Sequence, residues 1–207
     1  MNTLPVLRDR RPAVVTIDMH RGHLDPAVAT MPLPAETAAR VTAAHAELLA
    51  AARSRRIPVV HVVTGYRSVE EIASNPWWSA VAGSDASRAN VLHHQLPGSP
   101  GLELMPAVHE PGYDLLVTGK KRYDCFAATD LEHALRSRNV DTLLLTGVNT
   151  NSCVLATAIS GNTKDFSVVV VEDCVDTMDP VLHDAALSVL RQAFAWVAPS
   201  EEIVAAL

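Results

Sequence analysis

Cysteine is scarce in this chain: three residues in 207, an odd number with no CxxC pair. A disulfide scaffold and a structural zinc site are therefore not expected, and a reducing cytoplasm is the simplest home. Positive charge is also in short supply. Seventeen Lys and Arg against 23 Asp and Glu leave a net charge of −6, which argues against nucleic acid or an anionic membrane as partner. No apolar run is long enough to span a bilayer, and the opening MNTLPVLRDRR lacks a signal-peptide hydrophobic stretch. No GxGxxG follows the first strand-like run, so a dinucleotide-binding enzyme is disfavoured. Neither an internal repeat nor a linker is visible. At 48% hydrophobic residues, the length suits one domain with a large core.

What is present is a regular alternation. Apolar, β-branched runs at Ala13–Asp18, Pro58–Thr64, Tyr113–Thr118, Thr142–Thr146, Ser167–Glu172 and Phe194–Ala198 read as strands. Between them, Ala38, Val41, His45, Leu48, Leu49 and Ala52 follow helical spacing, and Thr129 with Glu132 fits a capping box. Asp179-Pro180 opens an amphipathic helix, and Ser200 is expected to cap a short terminal one. This order predicts an α/β protein, a three-layer α-β-α stack around a six-stranded, mainly parallel, Rossmann-like sheet. Residues 65–111, rich in proline and carrying the pair Trp77-Trp78, are the least regular part. They are expected to form a lid or a subunit contact.

In such sheets the ligand crevice lies beyond the carboxyl ends of the strands. Three reactive side chains fall at those ends: Asp18 after the first run, Lys120 after the third and Cys153 after the fourth. Asp18 alone is equally an ordinary loop cap, and Lys120 alone an ordinary solvated charge. Cys153 sits in TLLLTGVNTNSCVLATAI, where Thr150 offers an N-cap and a helix starts near Asn151. Unpaired first-turn amides lower a thiol's pKa and can hold an oxyanion, although a buried cysteine is more often a packing residue. Three such residues on one edge weigh more than each alone. Together they describe thiol catalysis, with Asp18 as the base, Lys120 balancing charge and nearby amides receiving the oxyanion. No metal or organic cofactor is required for it.

The combination of TID at the first strand end, GKKRYDCFAATDLE and GVNTNSCVLATA resembles the isochorismatase-like cysteine hydrolases over nearly the whole chain. That resemblance implies a single hydrolase domain over residues 1–207, a catalytic Asp18, Lys120 and Cys153, and a cis peptide between Val148 and Asn149. It also implies an oxyanion hole built from the Asn149 and Cys153 amides. The implied activity is hydrolysis of a small amide or ureido C–N bond through a Cys153 thioester. The alternatives are a vinyl ether hydrolase of the isochorismatase type and a non-catalytic binding protein on the same fold. A small-molecule substrate and a homo-oligomer, dimer or tetramer, are the expected partners.

Candidate substrate contacts are His23, Tyr66, Trp77, Tyr123, Asp124 and Phe126. Asp124 either selects a donor-rich substrate or pairs with Arg122, and Tyr123 and Phe126 shape the pocket wall or the core. The Asp-x-His metal signature of nicotinamidases is replaced by Thr64-Gly65-Tyr66. His20 and His23 either share an ion with Asp18 or Asp25 or simply form hydrogen bonds or face solvent, and no metal is expected. Cys125 and Cys174 read as packing residues.

Overall fold

The computed structural model describes residue 7, residues 9–85 and residues 88–207. The composition read at residues 1–6 lies outside them. Six strands form one sheet in the order β3-β2-β1-β4-β5-β6. They are β1 (Pro12–Ile17), β2 (Val59–Thr64), β3 (Leu115–Lys120), β4 (Thr142–Val148), β5 (Ser167–Asp176) and β6 (Trp196–Ala198). All neighbouring pairs are parallel. β2 and β4 are buried throughout and β1 nearly so, which is why their sequences are almost unbroken Val, Leu, Ile and Thr.

Helices cover both faces. Those before β3 are α1 (Arg21–Leu24), α2 (Ala35–Ser54), α3 (Val69–Ala73) and α4 (Pro76–Val81). Those after it are α5 (Leu131–Arg136), α6 (Leu155–Thr163), α7 (Pro180–Ala193) and α8 (Ser200–Ala206). One core cluster joins Val15, Ile17, Leu143 and Leu145 to Leu131, Leu135, Leu187 and Leu190. The opposite face joins Val14, Leu144, Val169 and Val171 to Val41, Leu48, Leu49 and Ile203. The described residues of the 65–111 segment include α3, α4 and the short 3₁₀ turns Val91–His93 and Pro100–Leu102, and they build a small cluster of their own from Tyr66, Ile72, Trp78 and Val91.

Several boundaries differ from the sequence expectation, each for a local reason. β3 begins at Leu115 because Tyr113 and Asp114 are held in a turn by the Glu110 carbonyl. The Asp114 carboxylate accepts bonds from Arg53, His61 and the Glu110 amide, so it ties the strand's start to α2 and β2. β5 runs on to Asp176 because the register with β4 shifts between Leu145 and Gly147, re-pairing Gly147 with Val175. β6 starts only at Trp196, since the Phe194 and Ala195 amides still bond the Leu190 carbonyl of α7. Two expected helix caps found other partners: Thr150 Oγ1 pairs with His183, and Ser200 Oγ donates to Asp173.

Asp179 does cap α7, accepting from the amides of Val181 and Leu182 at 2.8 and 3.4 Å, with Pro180 in the first turn. Asp179→Ala is expected to lower stability by about 1 kcal/mol. The change should appear as a lower urea midpoint with an unchanged slope.

Candidate active site

The β1–β4 boundary is where the strand order reverses, and the two chain segments leaving it carry Asp18 and the turn of Cys153. Gly147 makes their approach possible. Its φ is +109°, and a Cβ built there would lie 2.0 Å from the Ile17 carbonyl oxygen. Beyond it, the Val148–Asn149 peptide is cis. A π-helical turn, Thr150–Val154, then leads into α6. Thr177 Oγ1 reaches Asn151 Oδ1 at 2.8 Å, pinning that turn to the end of β5.

At the bottom of the crevice, Lys120 donates from one ammonium to Asp18 Oδ2, to Thr64 Oγ1 at 2.7 Å and to Cys153 Sγ at 3.4 Å. Asp18 Oδ1 accepts from the Thr64 amide and hydroxyl, both at 2.8 Å. The register Thr64↔Lys120 sets this contact, because the two residues sit side by side at the ends of β2 and β3. All four are buried.

Electrostatics follow from that burial. Burial is the largest influence on the Asp18 carboxyl and would raise it, yet the Lys120 charge and the smaller contributions of His20 and His23 together hold the group well below the usual carboxylate range. Burial would likewise lower Lys120, but Asp18 and then Cys153 keep it above its ordinary value. The thiol of Cys153 is pushed up to about 11, first by burial and against the opposing pull of Lys120. This corrects the sequence expectation of a lowered thiol pKa, because loss of solvent exceeds the help from the positive charge. The resting arrangement is thus carboxylate, ammonium and protonated thiol. It can deliver a thiolate only by handing the proton to a base at the moment of attack.

The trio opens onto a cavity of about 310 Å³, the size for a small molecule. Asn149 and Cys153 both line it.

The family model of the isochorismatase domain matches residues 12–202. The chain belongs to the isochorismatase family. A ureidoacrylate amidohydrolase from Methylobacterium radiotolerans is 35% identical over 165 residues, which cover 76% of this chain and 63% of that protein. The match thus spans just under two thirds of that relative's length. A maleamate amidohydrolase from Pseudomonas putida is 29% identical over 178 residues, 86% of this chain and 78% of that one. Among solved structures, a cysteine hydrolase from Pseudomonas syringae pv. phaseolicola superposes with a TM-score of 0.84 at 22% identity. That superposition covers 99% of this chain and 94% of that one, and it speaks for the fold. Among the described residues, no helix is long and apolar enough to cross a membrane.

Within this member of the family, the expected substrate contacts divide. His23, Tyr66 and Tyr123 line the cavity. Trp77 does not: it is 51% exposed and lies against Arg88, while its neighbour Trp78 turns inward and donates from its indole to the Tyr123 hydroxyl. Adjacent residues on a helix point about 100° apart, so α4 can send only one of the pair into the pocket. Asp124 and Phe126 also lie elsewhere. The Asp124 carboxylate folds back onto the Phe126 amide at 2.9 Å, and the Phe126 ring stacks on Phe166 in the core. Arg122, the other proposed partner of Asp124, bonds Ser74 and the Glu71 carbonyl instead.

Trp78, expected with Trp77 at the substrate entrance or a subunit contact, does line the cavity. Two contributors escaped the sequence reading. Thr64 is one, although its place at a strand end was a usable signal, and His94 is the other. His94 comes from the 65–111 segment and meets His20 and His23, so that three buried imidazoles offer ligand atoms within 4.8 Å of one another. Burial lowers His23 to about 4 and holds His94 well below the ordinary imidazole value, so both rings are neutral.

Proposed function

We propose that this chain is a cysteine-dependent amidohydrolase that cleaves the C–N bond of a small amide or ureide through a thioester on Cys153. The observation that carries the reading is the single ammonium of Lys120 in contact with both the Asp18 carboxylate and the Cys153 sulfur, at the floor of a small cavity. The names of the two amidohydrolase relatives support it.

In this reaction Asp18 takes the thiol proton as sulfur attacks the carbonyl carbon. The amides of Asn149 and Cys153 receive the carbonyl oxygen as it becomes negative. Collapse of the tetrahedral intermediate breaks the C–N bond, and the nitrogen leaves with the proton held by Asp18. Water then attacks the thioester, giving its proton to Asp18. As the acid departs, Asp18 passes that proton to the sulfur, so each half-reaction ends with the trio at its resting charge.

The test combines a substrate panel with a covalent map. Small primary amides, N-carbamoyl compounds and ureides are screened for released ammonia, and the best substrate is then quenched in acid during turnover. A mass increment equal to the acyl group, confined to the peptide bearing Cys153, is the expected result. Turnover with an acyl group on another residue, or with oxygen exchange but no adduct, would remove the thioester from the mechanism.

A further inference from the structure

His20, His23 and His94 form a gathering that the thioester chemistry does not use. All three are buried, at 0%, 5% and 2% exposure. His23 Nδ1 sits 2.8 Å from the Met31 carbonyl oxygen. A carbonyl can only accept, so the proton lies on Nδ1 and the lone pair on Nε2. His94 Nδ1 is similarly engaged by Thr30 Oγ1 at 2.8 Å. Outer hydrogen bonds of this type orient metal-binding imidazoles. His20 is the most telling member, because neither of its ring nitrogens has a hydrogen-bond partner among the described residues. Leaving a buried polar nitrogen unpaired costs roughly 1–3 kcal/mol. Stacking explains part of the arrangement, since the His20 and His23 rings lie 4.8 Å apart and nearly parallel. It does nothing for the unpaired nitrogens.

We propose that these three histidines bind one divalent transition-metal ion of the zinc class, with a fourth position open to the cavity that holds Cys153. Three imidazoles with an open position is a known zinc arrangement, and neutral nitrogen donors favour zinc, nickel, copper or iron over magnesium and calcium. Nitrogens about 2.0–2.1 Å from zinc stand about 3.4 Å apart, so ligand atoms now within 4.8 Å close by at most about 1.4 Å. The scaffold already gathers them. A Cβ on Gly22 would lie 2.6 Å from Gln95 Oε1, which shows how tightly the segment carrying His94 packs against the turn carrying His20 and His23.

Asp18 acts as a counter-charge to the ion and not as its ligand. Its Oδ1 is 3.6 Å from His20 Nε2 and is already occupied by the Thr64 amide and hydroxyl. His23, His94, Asp18 and Cys153 all line the same cavity. An ion there presents its open position to whatever lies over the sulfur, holding a water or an oxygen or nitrogen atom of the substrate. The ligand set is separate from the residues at the end of β2, which read Thr64-Gly65-Tyr66. The site stands without the amidohydrolase reading; only the role of the open position rests on it.

The test uses the full chain, stripped with a chelator and titrated first with Co²⁺ and then with Zn²⁺. One Co²⁺ per chain is expected, with the visible absorption of a four-coordinate nitrogen site and no thiolate-to-cobalt band in the near ultraviolet. Calorimetry should show Zn²⁺ binding weakened at least 100-fold in His94→Ala and in His20→Ala, and unchanged in Cys153→Ser. Absence of saturable binding in the micromolar range, a thiolate band, or full affinity in both histidine variants would overturn the site. Should neither variant fold, the wild-type spectrum decides: saturation at one ion without the thiolate band supports the site. None of these readings depends on turnover.

Discussion

Alanine at Cys153 is expected to lower kcat/KM for release of ammonia by roughly 10⁴-fold or more, while the protein stays folded. The size follows from what is removed. Loss of a nucleophile takes away the covalent route entirely, and the residual rate comes only from binding and the oxyanion site, as in other nucleophile deletions. Serine should be little better. Its hydroxyl is a far weaker acid than the thiol, and Asp18, held well below the usual carboxylate range, is a poor base for it. The fold has little at stake, because the side chain is small and its sulfur faces the cavity. A melting temperature within a few degrees of the parent is therefore expected. Retention of more than about a tenth of the activity in a mass-verified alanine variant would contradict a reaction through sulfur.

Gly147→Ala carries the largest expected effect on folding, with a loss above about 4 kcal/mol. Two costs combine. At φ +109° an L-residue is outside its comfortable backbone range. More important, the new methyl would sit 2.0 Å from the Ile17 oxygen and 2.6 Å from its nitrogen. Neither can move without breaking the β1–β4 ladder, in which Ile17 and Gly147 are directly paired. Gly112→Ala separates the two costs. It also has positive φ, +89°, but open space where the methyl would go. That variant should lose only about 1–2 kcal/mol. Urea unfolding of both proteins makes the comparison, and equal losses would show that backbone conformation, not the clash at Ile17, governs position 147.

The meeting of Asp18, Lys120 and Cys153 was legible because strand ends are legible. Continuous Val, Leu and Ile runs mark buried parallel strands, and Asp18, Lys120 and Cys153 each stand where such a run stops. Side-chain direction within short elements was not. Trp77 and Trp78 are adjacent in sequence, and only the phase of the six-residue α4 sends the second inward. Asp124 and Phe126 follow a family-like motif, yet a local bond between them and the stacking on Phe166 carry both away from the cavity. His94 was hidden for another reason. It lies 71 positions beyond His23, in a segment whose course is set by packing around Tyr66, Trp78 and Val91. The acidity of Cys153 depends on the balance between burial and one nearby ammonium, and spacing carries no information about that balance.

Lys120 gives the proposed reaction a constant electrical frame. Its ammonium touches both the oxygen that is negative at rest and the sulfur that becomes negative during attack. When the proton crosses from thiol to carboxylate, the negative charge shifts from one neighbour of the ammonium to another. As the new bond forms, that charge passes on to the carbonyl oxygen at the Asn149 and Cys153 amides, so the crevice as a whole keeps its balance and no ion has to be drawn in from solvent. A buried charge pair costs most when one partner is lost, and here the sulfur and then the carbonyl oxygen stand in for the carboxylate. The crevice can therefore stay nearly dry through the whole cycle, with water required only once, to release the acyl group from sulfur.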